Sequence, residues 1–264
     1  MPQSTFSLWD ALFKEDIIGE YTIVLPKLAN YIAEIHTHGN KKNKSLFTHV
    51  LNGVFNIMRI CKLLNVDSDI SKLMILSYTI HDMNKFPEYK DISLRDCATK
   101  ENIIKKIKEL RLDEYFPKYE EYINEIVTLI RGHSSKYTNA ENLLFADPGY
   151  KLTKQEVEDY LLPFIQAIDA LDVYNDLLDN RTEILIKINK FTSYYAKIKF
   201  KFVYHYISEN RGILTNLLHY QVIKYLEQYN VYPFLYYPDG VLYLTEETNK
   251  LSFINKNTLY EKIA

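Results

Sequence analysis

Four places in this chain offer side chains able to hold a divalent cation: His49, the adjacent pair His81-Asp82, His133 and Asp169. Imidazole nitrogens and carboxylate oxygens are the usual ligands of hydrolytic metal sites, where an open coordination position activates water and polarises a phosphoryl group. His81-Asp82 closes an apolar segment that runs from Leu73 to Ile80, so both side chains can converge on one ion if a helix ends there. Lys85 follows Asp82 by three residues and is placed to attract an anionic substrate to such an ion. Nitrogen and oxygen donors without thiolate suit Mn²⁺, Fe, Co²⁺ or Ni²⁺; Mg²⁺ is possible but matches imidazole less well. His36 and His38 fall in the polar stretch His36–Lys44 and read as loop residues.

The elements that must position these groups are helical. Apolar residues recur at helical spacing from Asp16 to about Ile35, with Pro26 expected to bend that helix. Ser45 is a plausible N-cap for the next helix, which carries His49 in its first turns and Gly53 one turn later. Asp67 or Ser68 caps the helix ending at His81-Asp82. Further helices are expected near Lys100–Leu110 and from Pro117 to Arg131, the latter stopped by Gly132-His133-Ser134-Ser135. Residues 136–152 read as a loop. Thr153 opens a long helical segment, kinked or restarted at Pro163, that carries Asp169, Asp172 and Asp176.

The pattern changes at about Asn189. Lys197–Val203 alternates basic and apolar residues, the period of a half-buried strand. A helix follows from about Ile213 to Gln228, then a hairpin with Asp239-Gly240 between two apolar runs, Asp239 being a turn residue. The expected fold is therefore mainly α: a helical bundle over residues 1–188, followed by a small β-α-β-β (α+β) unit over 189–264.

Bulk properties narrow the function classes. A chain of 264 residues can bury one sizeable core or a main domain with a smaller one. Its formal net charge of −2 carries no global signature for nucleic acid or anionic membrane, so any such binding must be local. Lys41, Lys42 and Lys44, and the Lys197/Lys199/Lys201 face, are the local candidates for guiding a phosphate backbone. Two cysteines, Cys61 and Cys97, without pairing or CxxC spacing suit a reducing compartment. The first ten residues lack the basic and apolar regions of a signal peptide, and no apolar run reaches the ~18 residues of a membrane span. The expectation is a cytoplasmic protein with no membrane partner.

A His, then His-Asp, then a distant Asp on a helical scaffold resembles the HD phosphohydrolase superfamily. The resemblance makes His49, His81, Asp82 and Asp169 metal ligands and Lys85 the basic residue after the doublet, although the usual Gly before it is Asn84 here. Asp172 is the rival to Asp169, which the apolar run Ile165-Gln-Ala-Ile168 favours. His133 resembles the extra ligand of members with a second metal, without the adjacent histidine of many CRISPR nucleases of this type, since Ser134 follows it. One or two ions per site are implied.

A narrower resemblance rests on Thr48–Gly53, Tyr78–Lys85, Ser208–Asn216 and Tyr237–Tyr243. Together these are similar to the N-terminal HD nuclease region of the large subunit of type I-D CRISPR effector complexes. That resemblance implies a DNA substrate, single-stranded by preference, partner subunits of an RNA-guided antiviral complex, and a degenerate palm-like domain beginning in the C-terminal unit. The hairpin lacks the Gly-Gly-Asp-Asp of a nucleotide cyclase. The family's subunit is much longer, so the chain is expected to be a fragment or a separately encoded nuclease piece; a viral inhibitor as a further partner is compatible with the nuclease reading, and the sequence carries no motif for it. Two other readings stay open: a phosphohydrolase acting on nucleotides, and a scaffold subunit with a vestigial site.

Overall fold

The computed structural model describes residues 18–35, 45–133, 149–173, 181–196, 200–206, 231–237 and 240–246. The described chain is mainly α-helical with a small three-stranded antiparallel sheet. It falls into two units, a helical one ending at Phe191 and a second beginning at Thr192. The sequence pattern places the division at 188/189. The helix there runs on because Ile184, Ile188 and Phe191 continue a buried stripe at helical spacing.

The longer helices are α1 (Leu25–Ile32), α2 (Leu46–Leu64), α3 (Ser68–Thr79), α4 (Lys100–Glu109), α5 (Ile123–Gly132) and α6 (Leu162–Val173), with α7 (Arg181–Tyr195) running past Phe191, where the helical unit ends. α3 is the central one. Eight of its residues, from Ile70 to Thr79, are buried, so it has no solvent-facing stripe beyond its first turn. Asp67 caps it, its carboxylate accepting from the Asp69 and Ile70 N–H groups at 2.8 and 3.3 Å. At its far end the Thr79 hydroxyl donates to the Ile75 carbonyl and accepts from the buried Tyr21 hydroxyl at 2.9 Å. Each large apolar side chain buried around α3 contributes roughly 1.5–3 kcal/mol.

Two expected helices differ at their starts. The segment from Asp16 is not one bent helix but a 3₁₀ turn, Gly19–Ile23, followed by α1. Pro26 opens α1 because its missing N–H costs nothing in a first turn. The helix expected from Pro117 begins as a 3₁₀ turn, Tyr119–Tyr122, and becomes α-helical only at Ile123. Before α6 the chain widens into a π-helical stretch, Glu156–Leu161, where Pro163 cannot donate to the preceding turn.

The second unit has strands β1 (Phe200–Tyr206), β2 (Val231–Tyr237) and β3 (Gly240–Glu246), ordered β1-β3-β2 and antiparallel throughout. Leu244 of β3 faces Phe202 on one side and Tyr232 on the other. The β2–β3 register shifts between Pro233 and Leu235, as expected where a residue has no N–H to give the ladder. The expected helix at 213–228, the Ser208–Asn216 motif, Asp239, His36, His38, Lys41, Lys42, Lys44, Lys197 and Lys199 lie outside the described residues.

One buried charge cluster is structural. Lys106 of α4, almost wholly inaccessible, donates to the Tyr31 hydroxyl at 2.8 Å and pairs with Glu88 and Glu109. Burial opposes the Glu88 charge, but Lys106 and Tyr31 hold its carboxyl below the usual value. A depressed folded-state pKa gives stability that is present above the unfolded value of about 4.3 and is lost as pH falls through the folded one. Lys106→Met, which keeps the stem volume, should therefore cost stability at neutral pH. Its deficit against wild type, measured by urea unfolding, should shrink as the pH is lowered.

Candidate metal centre

Helices α2, α3, α5 and α6 close a ring, each touching the next and α6 returning to α2. Every sequence-singled ligand sits on this ring. Ser45 caps α2 by accepting from the Thr48 N–H at 3.1 Å, which places His49 in the first turn. α3 ends at Thr79, and successive tight turns follow, with the Met83 N–H on the Ile80 carbonyl and the Lys85 N–H on the Asp82 carbonyl. His81 and Asp82 are thus held just beyond a helix end. His133 follows the last residue of α5, and Asp169 lies within α6.

The polar tips converge. His49 Nε2 is 3.2 Å from His81 Nε2, 3.2 Å from Asp169 Oδ1 and 3.5 Å from Asp82 Oδ2. His81 Nε2 is 3.4 Å from Asp82 Oδ2 and 3.6 Å from Asp169 Oδ1. On the other side of the Asp82 carboxylate, Oδ1 lies 3.6 Å from His133 Nε2. Ligands at ~2.1 Å from an ion stand about 3.0 Å apart along an octahedral edge and about 3.4 Å apart along a tetrahedral one. The observed separations, 3.2–3.6 Å, begin within that range and extend slightly above it. The Asp172 side chain lies outside the described residues, and Asp169 is the α6 carboxylate seen at His49 and His81.

Backbone carbonyls set the tautomers. His81 Nδ1 lies 2.6 Å from the Tyr78 carbonyl and His133 Nδ1 lies 2.7 Å from the Ile130 carbonyl. A carbonyl only accepts, so each Nδ1 carries the proton and each neutral ring presents a lone pair at Nε2. The Tyr78 ring stacks on His81 at 4.3 Å and supports its orientation. Two sets of donor atoms that could hold a metal ion result, His49/His81/Asp169 and His81/Asp82/His133, with His81 common to both. The donor chemistry therefore fits a divalent cation.

Electrostatics agree with that fit. Burial pushes the His81 imidazole below its usual value despite Asp82 and Asp169 beside it, which favours the neutral, ligating form. Burial opposes the Asp82 charge, but His81, His133 and Lys85 hold that carboxyl well below its usual range. Asp169 is likewise ionised, its burial outweighed by His49 and His81. His133 goes the other way: burial lowers it, yet its bond to Asp82 raises it overall. Asp169 is the most open of the carboxylates, with its side chain 25% exposed. Lys85 is engaged, its ammonium 2.5 Å from Asp82 Oδ2.

Three residues that support the helices of the centre were not assigned roles from sequence. Tyr78 precedes His81 by three residues, the spacing at which helical side chains meet, so a signal was present. Gln166 is the one polar residue within the apolar run Phe164–Ile168. Glu125 is fully buried in α5, and its Oε1 accepts the Lys151 and Leu152 N–H groups at 2.6 and 2.8 Å, fixing the chain that leads into α6. Glu125→Ala should cost about 1–3 kcal/mol by orphaning two backbone donors, whereas Glu125→Gln keeps an acceptor and should cost less. Thermal and urea unfolding of the two variants would rank them.

No protein-family model matches the chain, and comparison with curated proteins finds no match. Among the described residues no helix is long and apolar enough to cross a membrane.

Proposed function

We propose that the chain is a metal-dependent DNA nuclease that hydrolyses phosphodiester bonds, with single-stranded DNA preferred. The observation that carries this reading is the meeting of three imidazole Nε2 atoms and two carboxylates from four helical segments in one buried cluster. A divalent ion bound there supplies Lewis acidity toward a phosphoryl oxygen and a lowered pKa for a water. His49, His81, Asp82 and Asp169 would hold one ion, and His133 with the far oxygen of Asp82 would hold a second. The donor set favours Mn²⁺, Fe, Co²⁺ or Ni²⁺ over Mg²⁺.

The remaining work falls to the chain's own residues. Lys85 neutralises Asp82 while the site is at rest and would turn toward the charge that develops on a phosphate. Tyr78 and the apolar residues around α3 exclude water from the floor of the site. The partly exposed Asp169 marks the side from which substrate enters. Lys201, in β1, belongs to the basic face proposed to guide the DNA backbone.

The resemblance of the His81-Asp82 and Tyr237–Tyr243 motifs to type I-D CRISPR large subunits supports a role in antiviral interference beside RNA-guided partner subunits. Two free, buried cysteines accord with a cytoplasmic location. The test is incubation of the purified chain with single- and double-stranded DNA across Mg²⁺, Mn²⁺, Co²⁺ and Ni²⁺. Cleavage of single-stranded DNA with a transition metal is expected. Phosphate release from nucleotides with DNA left intact would replace this reading by the nucleotide one, and absence of bound metal would replace it by the scaffold one.

A further inference from the structure

Gln166 links two of the ligand-bearing segments without being a ligand. It lies on α6 three residues before Asp169, so both side chains share one helix face. Its Nε2 donates to the Gly132 carbonyl at 2.8 Å. That carbonyl belongs to the same planar peptide unit as the His133 N–H and Cα, so holding it restrains where the His133 side chain leaves the chain. Gly132 ends α5 with no side chain to restrain it, and a carbonyl at a helix end has no partner within the helix. The His133 ring is tied to Ile130 and Asp82 and meets the His81 ring edge-on at 4.7 Å. α6 is held by buried Phe164, Ile165, Ala167, Ile168 and Leu171. The end of α5 is buried as well, and the bond ties it to α6 one residue before His133.

We propose that Gln166 is a positioning residue that sets His133 against Asp82, an inference that rests on the metal-centre reading above. Outer groups of this kind typically change metal affinity 10- to 100-fold when removed. The test is Mn²⁺ titration calorimetry on the full chain, with Gln166→Met, Gln166→Glu and His133→Ala, and with Gln166→Met in the His133→Ala background. Gln166→Met keeps length but loses the donor; Gln166→Glu sets an acceptor against the Gly132 carbonyl.

Both Gln166 variants should unfold cooperatively and bind Mn²⁺ about tenfold more weakly than wild type. With His133 already replaced, Gln166→Met should cause no further loss, because the two act through one path. Equal losses in both backgrounds would make Gln166 a general support of the fold and overturn the proposal. Wild-type affinity in either Gln166 variant or in His133→Ala, or loss of cooperative unfolding in Gln166→Met, would overturn it too. A wild-type chain that binds no Mn²⁺ would remove the metal-centre reading itself and this inference with it, whereas an unaltered variant beside a binding wild type removes the inference alone.

Discussion

A His81→Ala/Asp82→Ala protein is expected to retain no stoichiometric Mn²⁺ and to lose cleavage of single-stranded DNA by at least about a hundredfold, since even outer-shell changes reach that size. The reason lies in the sharing of one residue. His81 Nε2 belongs to both sets of donor atoms, so its removal leaves neither intact, and Asp82 is the group that touches His49, His81 and His133 together. His133→Ala or Asp169→Ala each spoils one set and should leave partial binding. Metal content by elemental analysis and cleavage of labelled DNA would check the order. A doublet variant that still cut DNA with added Mn²⁺ would show that the chemistry lies elsewhere.

Gly53→Ala is expected to destabilise the protein by roughly 3 kcal/mol and to weaken metal binding, although the same change in an exposed helix would gain about 1 kcal/mol. A Cβ at Gly53 would overlap the Tyr78 ring. That ring is fully buried and stacks on His81, so it can yield only by pushing the imidazole or opening α2 from α3. The clash is larger than the propensity gain, and the sign follows. Shortening the ring should relieve it: Gly53→Ala/Tyr78→Leu should lose less stability than the two single changes summed. Urea unfolding gives the cycle, and Mn²⁺ calorimetry on the same proteins reports the imidazole's displacement. A stabilising Gly53→Ala would exclude the close packing of Tyr78 on α2.

The helical scaffold was largely legible because its signals are local. The Ser45 and Asp67 caps are both formed, and the α2 and α3 spans follow the apolar spacing. Helix starts were less legible where Pro26 and Pro117 stand, since a proline is equally at home bending a helix and opening one. Of the centre, His49, His81, Asp82, His133 and Asp169 are brought together, while the Lys85 ammonium is paired with Asp82. Gln166 and Glu125 gave little warning, because an amide or carboxylate beside apolar residues looks the same whether it braces distant backbone groups or faces water.

By itself, the order of residues determined which groups could be ligands, which helix ends and turns would carry them, and that the donors would be nitrogen and oxygen. Those follow from side-chain chemistry and from periodicity within one helix. Only the tertiary structure decided which groups meet, because the distance between His49 and Asp169 is a property of how α2 packs on α6, not of either helix alone. The same packing decided that Tyr78 needs the bare backbone of Gly53 and that one Asp82 oxygen faces His49 and His81 while the other faces His133. Spacing along a helix selects a face; only the closing of the helix ring turns four faces into one site.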